Sequence, residues 1–336
     1  MQLSKKLSFE EFVCFVEKTL MEHLGSEYFS QRKKVVKNNG VTLISLVIRK
    51  RDELIVPCIY LNTYFSQYEE GRQINEICDE ILDVYLYSKD SERNSFDEII
   101  FRYDEMKSSI IYRIINYEKN KELLESVPYI KVLDFAVTFH CLVRDDEEGI
   151  GTIRITEEHR KQWGVKLEEL YIIAMKNTPE IFPALIRPME EVMLELMKKE
   201  VMSFAMDDIN HLGLAEEKHL EAEQAANEFI QMLHYENPKC KVDMYVLSNS
   251  RGINGASCIL YPEILSDFAD QIDNDFFILP SSIHELILVP VEEQLGIKQL
   301  KEMVMEINQT QVPFEDVLSD DIYCYSRSNK QMIGIA

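Results

Sequence analysis

Asn39-Gly40 stands between two runs rich in β-branched residues, 33–38 and 41–49. A tight turn of this composition wants φ > 0 at both positions, which Asn and Gly tolerate best. The pair is therefore the strongest short-range signal for a β-hairpin. It commits this part of the chain to antiparallel pairing. Ahead of it, Ser8 and Glu11 form a capping-box pattern, followed by Phe9, Phe12, Val13, Val16, Leu20 and Leu24 at helical spacing. Residues 55–61 are expected as a third strand, 68–86 and 96–106 as helices, and 109–117 as a strand.

The same alternation continues. A short helical piece is expected before Pro128 and an apolar strand over 132–143. An acidic turn at Asp145-Asp146-Glu147-Glu148-Gly149 sends residues 151–155 back across that strand. Thr156 is the expected N-cap of the next helix. Residues 167–177 continue helically until Pro179 and Pro183 break the pattern. Long helical stretches are expected over 188–206, where Met189, Met193, Met197, Met202 and Met206 make a core stripe, and over 215–234. Beyond Asn237-Pro238 the elements shorten. Strands are expected over 242–247, 256–261, 276–279 and 285–289, helices over 262–272 and within 291–307, and a closing hairpin from 322–325 with 332–335. The fold class is α+β: two mixed regions with mainly antiparallel sheets, 1–185 and 236–336, joined by a helical segment, 186–235.

Charge is unevenly distributed. Of 36 basic and 59 acidic side chains, residues 1–168 hold 24 and 30, and residues 169–336 hold 12 and 29. A net of −17 in the second half repels duplex nucleic acid, which needs clustered Lys and Arg. It can steer a basic partner instead. Arg32, Lys33, Lys34, Lys37, Arg49, Lys50 and Arg51 make the one basic patch, on the first hairpin. Seven scattered cysteines lack any C-x-x-C pair, and several sit in apolar runs, such as those at Cys14, Cys141 and Cys258. Reduced, buried thiols are expected. With no apolar leader and no run of about 18 apolar residues, no membrane span is expected, and the cytoplasm is the expected compartment.

The blocks 244–249, 255–261, 268–269 and 277–285, with Tyr117-Glu118-Lys119-Asn120, Trp163-Gly164-Val165 and Lys176-Asn177-Thr178-Pro179, resemble a family of uncharacterised bacterial proteins. That family is common in anaerobic Gram-positive bacteria and their mobile elements. The resemblance spans most of the chain. It implies one integral architecture and no established activity.

Two loops hold the candidate site residues. In Pro280-Ser281-Ser282-Ile283-His284-Glu285, His284 could act as general base or acid with Ser281 or Ser282 as nucleophile and Glu285 alongside. No G-x-S-x-G elbow accompanies them, and the bland alternative is a turn shaped by Pro280 and the serines. In 249–256, Arg251, Gly252 and Asn254 could hold an anionic ligand, although the phosphate-cradling glycine pattern is missing and a hairpin connection explains the same residues. The seven histidines are dispersed without metal-ligand spacing, the acidic turn lacks calcium-loop spacing, and neither a metal nor a cofactor is expected.

The expected function is a non-enzymatic module that binds another protein through its acidic second half, with a nucleic-acid mimic as the sharper version. The alternative is a hydrolase-like enzyme using Ser281, Ser282 and His284. A small-ligand sensor built on Arg251 and its glycine loop is the third class.

Overall fold

The structure is a computed structural model that describes residues 6–50, 58–92, 102–146, 149–198, 243–280, 282–292 and 296–335. The chain forms two compact units, Met1–Glu105 and Met106–Ala336. The described residues build helices and three antiparallel sheets, an α+β fold.

In the first unit, Ser8 caps α1 (Phe9–Leu24), with Glu11 completing the capping box. Strands β1 (Tyr28–Val36) and β2 (Thr42–Lys50) make the hairpin, and β3 (Cys58–Tyr60) pairs with β2. The hairpin connection runs five residues, from Lys37 to Val41, and Asn39 and Gly40 both take positive φ, at 56° and 74°. The helix expected over 68–86 is two helices, α2 (Leu61–Glu69) and α3 (Ile74–Glu92), separated at Gly71 with φ 112°. Phe12, Val13, Val16 and Leu20 of α1 pack with Leu46, Ile48, Ile77, Ile81 and Tyr85. Each such buried side chain contributes about 1.5–3 kcal/mol of transfer free energy. Cys14 lies on the outward side of α1 and is exposed, contrary to the burial expected of it.

The chain passes through α4 (Tyr103–Met106) into the second unit. There β4 (Ile110–Asn116) pairs with the long β6 (Phe135–Asp146). The other edge of β6 takes β5 (Tyr129–Val132) and then β7 (Gly149–Arg154). The strand expected from residue 132 is thus a hairpin turning at Leu133-Asp134, with Leu133 at φ 56°. A short helix α5 (Lys121–Leu124) precedes β5, and Thr156 caps α6 (Glu157–Trp163). Helix α7 (Leu167–Ile181) runs through Pro179 and stops only at Phe182-Pro183. Pro179 falls in the last turn, so its ring removes one hydrogen bond without ending the helix, which closes with Phe182 N–H on Thr178 O.

Six strands form the third sheet, in the order β13-β12-β10-β11-β9-β8. They are β8 (Ala184–Pro188), β9 (Tyr245–Asn249), β10 (Phe276–Leu279), β11 (Leu286–Pro290), β12 (Ile322–Ser326) and β13 (Gln331–Ile335). Phe277, Leu279, Val289 and Ile322 pack with Leu300 and Val304 of the helix Ile297–Thr310. Phe268 of the helix Ile264–Ile272 meets Phe276 and Tyr245, with ring centroids 4.9 and 5.0 Å apart. Strand β8 ends beyond position 185, where the sequence suggests a boundary, and it is hydrogen-bonded to β9 along its length. Residues 189–198 are helical, with Met189, Met193 and Met197 half-buried; Met202, Met206 and the helix expected over 215–234 lie outside the described residues. No helix among the described residues is long and apolar enough to cross a membrane.

The strand expected over 256–261 is a 3-10 turn, Gly255–Leu260. A β-carbon on Gly255 would collide with Ser248 Oγ, come within 2.5 Å of His284 O and reach 2.7 Å from Asn249 N. Glycine alone permits that approach. The apolar run that reads as a strand is simply buried on all sides, which periodicity cannot distinguish from a strand. The turn also completes β4. One edge of β4 faces β6; on the other, Tyr112 N–H donates to Thr178 Oγ1 (3.0 Å), Ile114 N–H to Ser257 Oγ (3.3 Å), and Asn177 Nδ2 to Ile110 O (3.0 Å). Side chains thus close an edge that would otherwise leave unpaired donors.

Candidate functional site

The two loops singled out in the sequence meet in the second unit. Ser248 Oγ donates to His284 O (2.8 Å), Ala256 N–H to Ile283 O (3.2 Å), and Asn254 N–H to the His284 ring at Nδ1 (3.3 Å). A third segment, 313–319, closes the far side. Ile283 N–H donates to Asp316 O (2.8 Å), Ser319 N–H to Pro280 O (2.9 Å), and Ser282 forms a bridge with Val317. Nearly every backbone group of the Pro280–Glu285 loop that is described has a fixed partner, so the loop is rigid rather than open.

His284 sits at the centre with both ring nitrogens engaged. Nδ1 accepts from Asn254, and Nε2 faces Asp316 Oδ1 at 3.4 Å. This partner set assigns the tautomer with the proton on Nε2. Ser282 Oγ accepts from the His284 backbone N–H (2.9 Å), and the serine is 4% exposed. Among the described residues the ring makes no hydrogen bond to a hydroxyl. Ser281 lies outside the described residues. Burial pushes the Glu285 carboxyl up from its ordinary range, against the opposing effects of His284 and the Ser282 hydroxyl.

On the neighbouring loop, Asn249 folds the chain by donating Nδ2 to Ile253 O (2.9 Å) while its Oδ1 accepts from Arg251 N (3.0 Å). Gly252 and Asn254 take positive φ, at 65° and 53°. The Arg251 guanidinium is committed to the end of β6, pairing with Asp145 Oδ1 at 2.6 Å and donating to Asp146 O at 3.0 Å. The acidic turn thus supplies a counter-ion to the loop, and Arg251 is not poised for a ligand. Among the described residues no group of His, Cys, Asp and Glu is arranged to hold a metal.

Sequence reasoning missed Asp316, which nothing in its local pattern marks. It also missed Arg113, where a signal did exist: a single charge inside the apolar strand Ile110-Ile111-Tyr112-Arg113-Ile114-Ile115. In the first unit the basic patch is partly neutralised. Arg32 pairs with Glu17 (2.5 Å), Lys50 with Glu27 (2.8 Å), and Lys37 lies 4.1 Å above the Tyr60 ring. Arg51 lies outside the described residues.

No curated protein and no solved structure matches the chain. The profile of a family of unknown function, DUF5688, matches residues 9–327, nearly the whole length over which both loops, Arg113 and Asp316 are placed. The chain therefore belongs to the DUF5688 family of unknown function.

Proposed function

We propose that this chain is a non-enzymatic interaction protein that recognises a basic partner protein through the acidic surface of its C-terminal half. The observation that carries this reading is an excess of carboxylates after local pairing. Arg327 is held by Asp270 and Asp273, Lys301 by Asp321 (3.1 Å) and Lys298 by Glu302 (3.8 Å). Glu263, Asp267, Glu292 and Glu306 remain exposed with no ion pair among the described residues. On the helix Ile297–Thr310 Glu306 is next in sequence to exposed Ile307 (37%), and Met303 is exposed at 38%, so apolar contact area accompanies that charge. Such a mixture favours fast, salt-sensitive association with a basic surface.

A catalytic role draws no comparable support, because the His284–Asp316 pair touches no nucleophile among the described residues. The test is capture of partners by the tagged full chain at about 0.05 M and 0.5 M salt, across which exposed charge pairs are progressively screened. A basic partner held at low salt and released at high salt is the expected result. A partner held equally at both would remove the acidic surface from the account.

A further inference from the structure

Beside the last strand of the third sheet, three segments leave an open cleft with a volume of ≈ 290 Å³. It is lined by Leu133 and Asp134 of the β5–β6 turn, by Asp321 and Tyr323 at the start of β12, and by Gly334 and Ile335 of β13. Asp134 brings it a fixed charge. Ser319 Oγ donates to Asp134 Oδ2 (2.5 Å), and Tyr323 Oη donates to Oδ1. Burial and the adjacent carboxylate push the Tyr323 phenol up, so it keeps the proton it donates. Two neutral hydroxyls orient the Asp134 carboxylate and cancel none of its charge. Asp134 has no ion pair among the described residues. A half-buried carboxylate held in place without a cation is matched by a cation that arrives from outside.

Gly334 keeps the cleft open. It stands opposite Tyr323 in the β12–β13 pairing. Its φ is not positive, so the backbone there does not require glycine. A β-carbon would meet only Cδ1 and Cε1 of Tyr323, at 3.8 Å, an ordinary contact. Glycine weakens a strand and marks places where a ligand or another chain comes close. The exposed Leu133 side chain and half-buried Ile335 add apolar surface around the charge. Asp321, the second carboxylate, pairs with Lys301 at 3.1 Å and attracts a cation less than Asp134 does. That pair also joins the rim of the cleft to the helix Ile297–Thr310, which carries the exposed Glu306.

We propose that this cleft receives an arginine side chain of the basic partner, with its guanidinium on Asp134 and its aliphatic stem against Leu133 and Ile335, an assignment that rests on the acidic-surface reading. Each Asp134 oxygen accepts one hydroxyl proton and keeps a second lone pair. Two free acceptor positions on one carboxylate match the two parallel donors of a guanidinium fork better than the point charge of an ammonium. The apolar lining calls for a stem that a bare inorganic cation lacks.

The test is titration of the full chain with the peptide acetyl-Gly-Arg-Gly-amide and with its citrulline counterpart, which has nearly the same shape and no charge. Ionic strength is held constant, and binding is read by NMR at the backbone amides of Tyr323 and Ile335. The arginine peptide is expected to move both signals and to bind about tenfold more tightly than the citrulline peptide. Gly334→Val places a branched side chain in an edge strand, where it folds well, and fills the cleft; it should weaken the arginine peptide about tenfold. Asp134→Asn keeps an acceptor and removes the charge, so it should bind the two peptides alike. Should Asp134→Asn not fold, Gly334→Val decides alone. No binding of the arginine peptide, equal binding of both peptides by the wild type, or an unchanged affinity in Gly334→Val overturns the cleft. Partner capture separates this failure from that of the acidic surface. Salt-sensitive capture that Gly334→Val retains in full overturns the cleft alone, whereas no capture by the wild type removes the acidic-surface reading, with the peptides still deciding the cleft.

Discussion

The two units solve the same problem with different materials. In the first, polarity stays outside: the buried set is almost wholly apolar, with only Asn39 and Ser45 as buried polar residues among the described residues, and charged side chains pair on the surface. In the second, Asn116, Asn120, Thr138, His140, Thr178, Asn249, Ser257, Ser282, Asn308 and Ser319 are all buried. Several of them bridge elements far apart in the chain: Asn116 Nδ2 donates to Leu318 O, Thr178 Oγ1 accepts from Tyr112 N–H, Ser257 Oγ from Ile114 N–H, and Ser319 Oγ bonds Asp134. An apolar core of the right volume is enough to hold a helix on a hairpin. Buried polar contacts demand one geometry, and several of them lie at the two candidate loops.

The contrast makes graded predictions. The largest effect is expected at Gly255, where Ala would drive a methyl into backbone atoms; urea unfolding should show a loss of about 3 kcal/mol or more. Gly25, with φ +89° and nothing within 4 Å, should lose only about 1 kcal/mol on the same change, from backbone strain. Next comes Thr178→Val, which keeps the shape and removes the acceptor for Tyr112 N–H; about 1–3 kcal/mol should be lost, and a neutral result would mean water replaces the hydroxyl at the β4 edge.

His140 gives a pH signature that the first unit should lack. Its folded value is depressed, so the unfolded chain takes up a proton near 6.5 while the folded chain does not. Stability is therefore full above pH 6.5 and falls as the pH drops below it, by up to about 1.4 kcal/mol per pH unit. Substituting Gln at His140 should flatten that slope; an unchanged slope would place the acid sensitivity elsewhere. The smallest effect is at Ser8→Ala in the first unit, where loss of the α1 cap should cost about 1 kcal/mol by the same denaturant assay.

Local signals were legible in the sequence and distant ones were not. The capping box at Ser8, the N-cap at Thr156 and the Asn39-Gly40 hairpin depend on residues within a few positions, and each forms. The turn at Leu133-Asp134 carries no turn chemistry, because Leu is held at positive φ by the β5–β6 pairing around it. The 3-10 turn after Gly255 is set by contacts with Ser248 and His284, which no window of sequence displays together. For the site, the residue types in both loops were visible, while their meeting through Asn254 and His284, the commitment of Arg251 to Asp145, and the role of Asp316 all arise from tertiary contact. Arg113 was visible as a charge in an apolar strand, and its place beside Thr138, His140 and Arg154 needed the strand pairing.

The most direct measurement compares partner capture by two charge variants of the full chain at low salt. One replaces Glu263, Asp267 and Glu306 with their amides; the other replaces Lys33 and Lys34 of the first unit with Ala. The account predicts that the first variant loses its basic partner by tenfold or more while the second retains it. Retention by the first and loss by the second would move recognition to the basic hairpin and contradict the proposed function.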